Sequence, residues 1–111
     1  MQSLTVLSLN TNPDLDFNSI VEQLSEIRGL KELDLSNNNL TKLPTALAKM
    51  LQLEVLGLYR NTELASDLIY TAATLVQIYS LKKLDFRYNT TTEAQREIIR
   101  MALPRVEIEF D

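Results

Sequence analysis

The segment LKELDLSNNNL, residues 30–40, constrains the fold of this chain more than any other stretch. Its leucines at 30, 33, 35 and 40 and its asparagine at 38 form the pattern LxxLxLxxNxL. Leu33, Asp34 and Leu35 alternate apolar and polar side chains with period two, which specifies a short strand with one buried face. Asn38 falls just past that strand, where the backbone has to turn. A strand this short cannot stay folded by itself, so the segment needs neighbours of its own kind.

The chain supplies them. LTVLSLNTNPDL places Leu4, Leu7, Leu9 and Asn12 in the same register, and LEVLGLYRNTEL does so with Leu53, Leu56, Leu58 and Asn61. In both, the closing leucine (Leu15 or Leu64) comes one residue later than Leu40 does. LKKLDFRYNTTT follows with Leu81, Leu84, Phe86 and Asn89, and threonines stand where the closing leucine would be. A truncated fifth copy, LPRVEIEFD, carries Leu103, Val106 and Ile108. The asparagines are 26, 23 and 28 residues apart. A period in the twenties with this pattern is the signature of a solenoid.

On these four registers the chain resembles the leucine-rich repeat proteins over essentially its whole length. The resemblance implies an α/β solenoid, a right-handed β/α superhelix. About five parallel strands would lie on its concave face and helical returns on its convex face. Residues 1–111 would form one leucine-rich repeat domain, with repeats starting near Leu4, Leu30, Leu53 and Leu81 and a capping strand at 103–111. A length of 111 residues agrees with one domain at most.

The return segments read as helices of unequal length. In residues 16–29, Ile20, Leu24 and Ile27 fall on one helical face, with Ser19 and Glu22 as a capping box and Gly29 as terminator. Pro44 restricts the second return to one or two turns over residues 45–50. The third is the longest; Leu68, Ala72, Leu75 and Tyr79 mark its inner face, and Ser66 or Asp67 its cap. The fourth runs from a threonine cap through Ile98 and Met101 to a stop before Pro104. At the far end Glu107 and Glu109 alternate with Val106, Ile108 and Phe110, and charges on an edge strand discourage further pairing. The first repeat opens directly with no capping segment. That leaves two readings: an upstream segment shields it, or the edge over residues 4–9 pairs with something, self-association included.

The repeated residues divide into two tasks. The leucines stack repeat on repeat. Asn12, Asn38, Asn61 and Asn89 each carry an amide that both donates and accepts, so they can satisfy turn backbone that would otherwise be buried without partners. They are expected to form a structural ladder.

Contacts with a partner then fall to the strand residues that point away from the core. Aligning the five copies gives three lateral rows: Val6, Glu32, Val55, Lys83, Arg105; then Ser8, Asp34, Gly57, Asp85, Glu107; then Asn10, Ser36, Tyr59, Arg87, Glu109. Thr11, Asn37, Arg60 and Tyr88 lie just beyond. Asp34 and Asp85 are expected roughly 9–10 Å apart across Gly57, flanking an open notch for a basic side chain. Tyr59, Arg60, Arg87 and Tyr88 form the second candidate cluster, of residue types enriched where interfaces concentrate their energy. Stacking of Arg87 on Tyr59 within the monomer is the simpler account of that pair.

Composition narrows the function. There is no histidine and no cysteine, which removes the commonest general base, thiolate nucleophiles, thiolate zinc sites and disulfides. The two glycines make no phosphate loop. We therefore expect no catalytic residue, no metal and no cofactor. A net charge of −4 argues against nucleic acid or an anionic membrane as the main partner. No long apolar run and no N-terminal basic-then-apolar signal is present, and the lack of cysteine is compatible with a reducing cytoplasm. The sequence reads as a protein–protein interaction module that binds a protein across its concave face. The alternatives are an assembly role through the N-terminal edge, and service as the recognition part of a larger protein whose activity lies elsewhere.

Overall fold

In a computed structural model, which describes residues 4–111, five three-residue strands lie in one parallel sheet in chain order. They are β1 (Val6–Ser8), β2 (Glu32–Asp34), β3 (Val55–Gly57), β4 (Lys83–Asp85) and β5 (Glu107–Glu109). The central residue of each strand points into the core. Leu33, Leu56 and Leu84 are buried, as are Leu35, Leu58 and Phe86 two residues on. Each fully buried side chain of this kind contributes roughly 1.5–3 kcal/mol. The solenoid is held together by this column, with every leucine lying against its equivalents in the adjacent repeats.

The register pairs Val6, Glu32, Val55, Lys83 and Glu107 in one row, and Ser8, Asp34, Gly57, Asp85 and Glu109 in the next. The first four members of each row are as the leucine spacing requires. The fifth strand is corrected by two residues, because Glu107, not Arg105, sits beside Lys83, and Glu109, not Glu107, beside Asp85. Leu103 is thus not the equivalent of Leu81. It opens a turn closed by the Val106 N–H onto its carbonyl at 3.1 Å. Pro104, with φ already set for the second position of a turn, puts the turn there and delays the strand.

The returns follow, with their phases changed. Helix α1 (Phe17–Leu24) is capped by Asp16, whose carboxylate accepts from the Ser19 N–H at 3.3 Å and the Ser19 hydroxyl at 2.9 Å. Asp16, not Ser19, is the cap, and Phe17 and Val21 are the buried face while Ile20, Leu24 and Ile27 are only half-buried. Gly29 does not end the helix through a left-handed conformation, since neither glycine has positive φ. After Pro44 the second return is a single 3-10 segment, Thr45–Lys49. A second 3-10 segment (Thr62–Asp67) leads into α2 (Leu68–Leu75), where Asp67 accepts from the Tyr70 N–H at 3.2 Å. Leu68, Ala72 and Leu75 face the core, but Tyr79 is 89% exposed. The helix has ended before it, and helical periodicity no longer applies.

Helix α3 (Glu93–Ala102) has a complete capping box between Thr92 and Gln95. Its single buried side chain is Ile99; Ile98 and Met101 are exposed. The helix also meets the last strand. Arg96 and Arg100 lie over the Phe110 ring at 5.3 and 5.1 Å, and Phe110 meets Phe86 edge-on at 6.2 Å. Burial of Ile99 is the larger contribution, and the two guanidinium groups over the aromatic face add to it.

Candidate functional site

Two groups of residues leave the sheet where its strands end, and they do different work. The first is the set of asparagines. Asn61 is fully buried, and its amide nitrogen donates to the carbonyls of Leu35 at 3.1 Å and Leu58 at 3.2 Å. Its oxygen accepts from the N–H groups of Asn38 at 3.0 Å and Leu40 at 3.1 Å. Asn38 repeats the motif one step down, donating to Leu9 and Leu35, both at 3.0 Å, and accepting from the Asn12 N–H. Asn89 donates to Leu58 at 3.0 Å and accepts from the Asn61 N–H at 2.5 Å. Asn12 departs from the pattern. It is exposed, and its amide donates only to Leu9 and Asn10 of its own loop, each at 3.0 Å.

The residue before each asparagine turns left-handed: φ is 57° at Thr11, 59° at Asn37, 56° at Arg60 and 58° at Tyr88. An L-residue held there costs roughly 1–2 kcal/mol. The ladder recovers it by satisfying the buried groups that follow. This backbone turn, which no leucine spacing encodes, brings Arg60 and Tyr88 to the same rim as Tyr59 and Arg87.

The second group is the concave face itself. Asp34 and Asp85 do occupy one row with Gly57 between them. The open notch expected there does not form. A Cβ added at Gly57 would lie 2.6 Å from Asp34 Oδ1 and 3.3 Å from Ser36 Oγ, so the Asp34 carboxylate already leans over the glycine. It is held by donors from three positions: the Ser36 N–H at 3.0 Å, the Ser8 hydroxyl at 3.3 Å and the Asn10 amide at 3.3 Å.

Asp85 is occupied differently. Arg87 grips it with Nε at 2.9 Å and a terminal nitrogen at 2.8 Å, and the Arg87 N–H adds a third bond at 3.1 Å. The side-chain bonds from Arg87 hold the Asp85 carboxyl below its ordinary value, against partial burial that pushes the other way. The same bonds raise the pKa of the guanidinium.

Held in this way, Arg87 lies over the Tyr59 ring at 5.4 Å, Arg60 approaches the same ring at 5.8 Å, and Tyr88 meets it edge-on at 5.1 Å. Tyr59, Arg60, Arg87 and Tyr88 therefore form one continuous cluster, in which the stacking of Arg87 on Tyr59 is a contact within the monomer. A shallow groove of about 680 Å³ runs from this cluster across the face to Val6 and Ser8. Three members of the site were not singled out by residue type. Ser36 accepts from the Tyr59 N–H at 3.0 Å, Asp111 accepts from the Tyr88 N–H at 3.1 Å, and Glu109 stands beside Asp85. The corrected register of β5 would have revealed the last two. Among the described residues, no three His, Cys, Asp or Glu side chains come together as a metal site, and no helix is long and apolar enough to cross a membrane.

Comparison with known proteins agrees with the repeat architecture. A family profile for leucine-rich repeats, in two copies, matches residues 28–70. Two probable disease resistance proteins of Arabidopsis thaliana are similar to the chain, one 33% identical over 101 residues and one 41% identical over 66. These matches cover 91% and 60% of the chain but 13% and 7% of the plant proteins, so the chain spans a small part of their length. Among solved structures, a leucine-rich repeat protein of Leptospira interrogans superposes with a TM-score of 0.61 at 27% identity, over 80% of this chain and 21% of that one. The C-terminal domain of Caenorhabditis elegans tropomodulin superposes with a TM-score of 0.69 over 99% of this chain and 75% of that one. At 12% identity that second likeness speaks for the fold alone. The chain carries the repeats of the leucine-rich repeat family. Domains of this family generally mediate protein–protein interaction and are typically non-enzymatic.

Proposed function

We propose that this domain captures a protein partner on its concave face, with Tyr59, Arg60, Arg87 and Tyr88 as the contact centre and Asp34 and Asp85 as its polar border. The supporting observation is the locked geometry of Arg87. Its two-pronged grip on Asp85 and its position over Tyr59 hold a long, entropy-rich side chain in one place before any partner arrives. Preorganised aromatic and arginine side chains lose little freedom on binding, which is why they concentrate interface energy. The same reading leaves catalysis outside the domain and makes it the recognition part of a longer protein.

The test is a pull-down from source lysate with the immobilised chain, compared with a Tyr59→Ala, Arg87→Ala double variant. The variant should lose the captured protein while its far-UV circular dichroism stays unchanged. Capture that survives both substitutions ends the concave reading.

One observation favours a second reading, assembly through the sheet edge. The outer side of β1 pairs with no strand among the described residues, and Val6 is 54% exposed. A strand edge in that condition is a template for another strand. Light scattering over a concentration series separates the two readings, since a monomer at every concentration removes self-assembly.

A further inference from the structure

The turns that lead into the strands form a second patterned surface, on the rim opposite the asparagines. In four consecutive repeats a backbone N–H closes a turn onto the carbonyl three residues back. Leu30 bonds Ile27 at 3.1 Å, Leu53 bonds Met50 at 3.2 Å, Leu81 bonds Ile78 at 3.0 Å and Val106 bonds Leu103 at 3.1 Å. Arg28, Leu51, Tyr79 and Pro104 are therefore equivalent tips, set side by side by the parallel sheet. Leu51 is 77% exposed, beside the bare ring of Tyr79. A single exposed apolar side chain is ordinary; two on adjacent tips make a ridge. Next to it a hollow of about 280 Å³ opens between the first two turns, lined by the apolar side chains of Ile27, Leu30, Met50 and Leu51.

Charge is segregated on the same rim. The turns and the residues flanking them carry Arg28, Lys31, Lys82 and Arg105 against the carboxylates of Glu26 and Glu54. Glu54 is engaged by Lys82 at 3.6 Å. Among the described residues, no ion pair takes up Arg28, Lys31 or Arg105. Glu26 lines the hollow and Lys49 is taken up by Glu22, so the excess of positive charge lies on the tips beside the hollow and not within it. A chain of net charge −4 thus presents a cationic rim, and the whole-chain charge says nothing about which partner that rim suits.

We propose that this rim is a second docking surface, for a short acidic segment of a protein partner that carries one large apolar side chain. That side chain fills the hollow against Leu51, and the carboxylates beside it meet Arg28, Lys31 and Arg105. Charge complementarity selects an acidic occupant over a basic one. The hollow selects an ordered side chain over a lipid headgroup layer, which would meet the protruding tips and leave the recess empty. The rim lies at the opposite ends of the strands from Tyr59 and Arg87, so the proposal stands independently of the concave reading.

The test uses the isotope-labelled chain, titrated in an NMR experiment with a blocked pentapeptide of phenylalanine flanked by two glutamates on each side. Amide shifts should centre on Arg28, Leu51, Gln52 and Tyr79. Replacing the phenylalanine by alanine should weaken binding by about tenfold, as loss of one buried side chain requires. Replacing the glutamates by lysine should abolish it. The exposed-site variant Leu51→Asp should lose the response, and Arg28→Glu with Arg105→Glu should shift the preference to the lysine peptide. Shifts confined to the concave face, or equal binding of the phenylalanine and alanine peptides, overturn the proposal. So does co-sedimentation with phosphatidylserine vesicles that depends on Leu51 while the peptides cause no response.

Discussion

Asn12 and Asn61 are the same residue at the same place in two repeats, and they do not do the same thing. Asn61 lies between two repeats, with no exposed surface and hydrogen bonds to both neighbours. Among the described residues Asn12 has a repeat on one side only; it is exposed and turns its amide back on its own loop. The leucines show the same contrast, since Leu56 is fully buried and its β1 equivalent Leu7 is half-exposed. The difference teaches that a repeat motif specifies a capacity, and the neighbour decides how much of it is used.

The sharpest way to break this comparison is to truncate the leucines. Leu56→Ala should cost about 3–5 kcal/mol of unfolding free energy, whereas Leu7→Ala should cost only about 1–2, because the edge site can relax and admit water. Equal shifts in denaturant midpoint would mean that β1 is as well covered as β3. The asparagines come next. Asn61→Ala leaves the N–H groups of Asn38 and Leu40 without their acceptor and takes one of two amide donors from the carbonyls of Leu35 and Leu58, which should cost about 2–4 kcal/mol. Asn12→Ala should cost less than about 1 kcal/mol, since water replaces its amide. Thermal melts of the two variants decide it, and an unchanged midpoint for Asn61→Ala would contradict the ladder.

A smaller effect tests the concave cluster. Asp85 has a folded-state pKa below the ordinary 3.8, so its bond to Arg87 stabilises the fold above that pH. The contribution fades as pH drops from the ordinary value through the lowered one. Wild type should therefore exceed Asp85→Asn in stability at neutral pH, by less than about 1 kcal/mol for so exposed a pair, with the gap closing below pH 3.8. A gap that widens on acidification contradicts the assignment. The smallest effect concerns backbone strain. Arg60→Gly relieves a left-handed residue and should gain about 0.5 kcal/mol once the extra freedom of unfolded glycine is subtracted. A loss of stability would show that the Arg60 side chain holds the rim together.

What the sequence determined by itself was the register: which residues of the first four copies pair and which leucines stack, with the parallel sheet implied by the resemblance to leucine-rich repeat proteins. Those follow from a pattern with fixed spacing, repeated in every copy, and each copy constrains the next. Helix phase did not follow. In the first return Phe17 and Val21 are buried, while Ile20, Leu24 and Ile27, the face read from the spacing, are only half-buried. The site was half legible. Asp34, Tyr59, Asp85 and Arg87 could be placed in their rows by counting residues. That Asp34 would close over Gly57, and that Arg87 would be held on Asp85, depended on side-chain torsions and on donors supplied by Ser8, Asn10 and Ser36. Spacing along the chain encodes register; the direction a polar side chain takes is settled only when its neighbours arrive, because only then are its hydrogen-bond partners within reach.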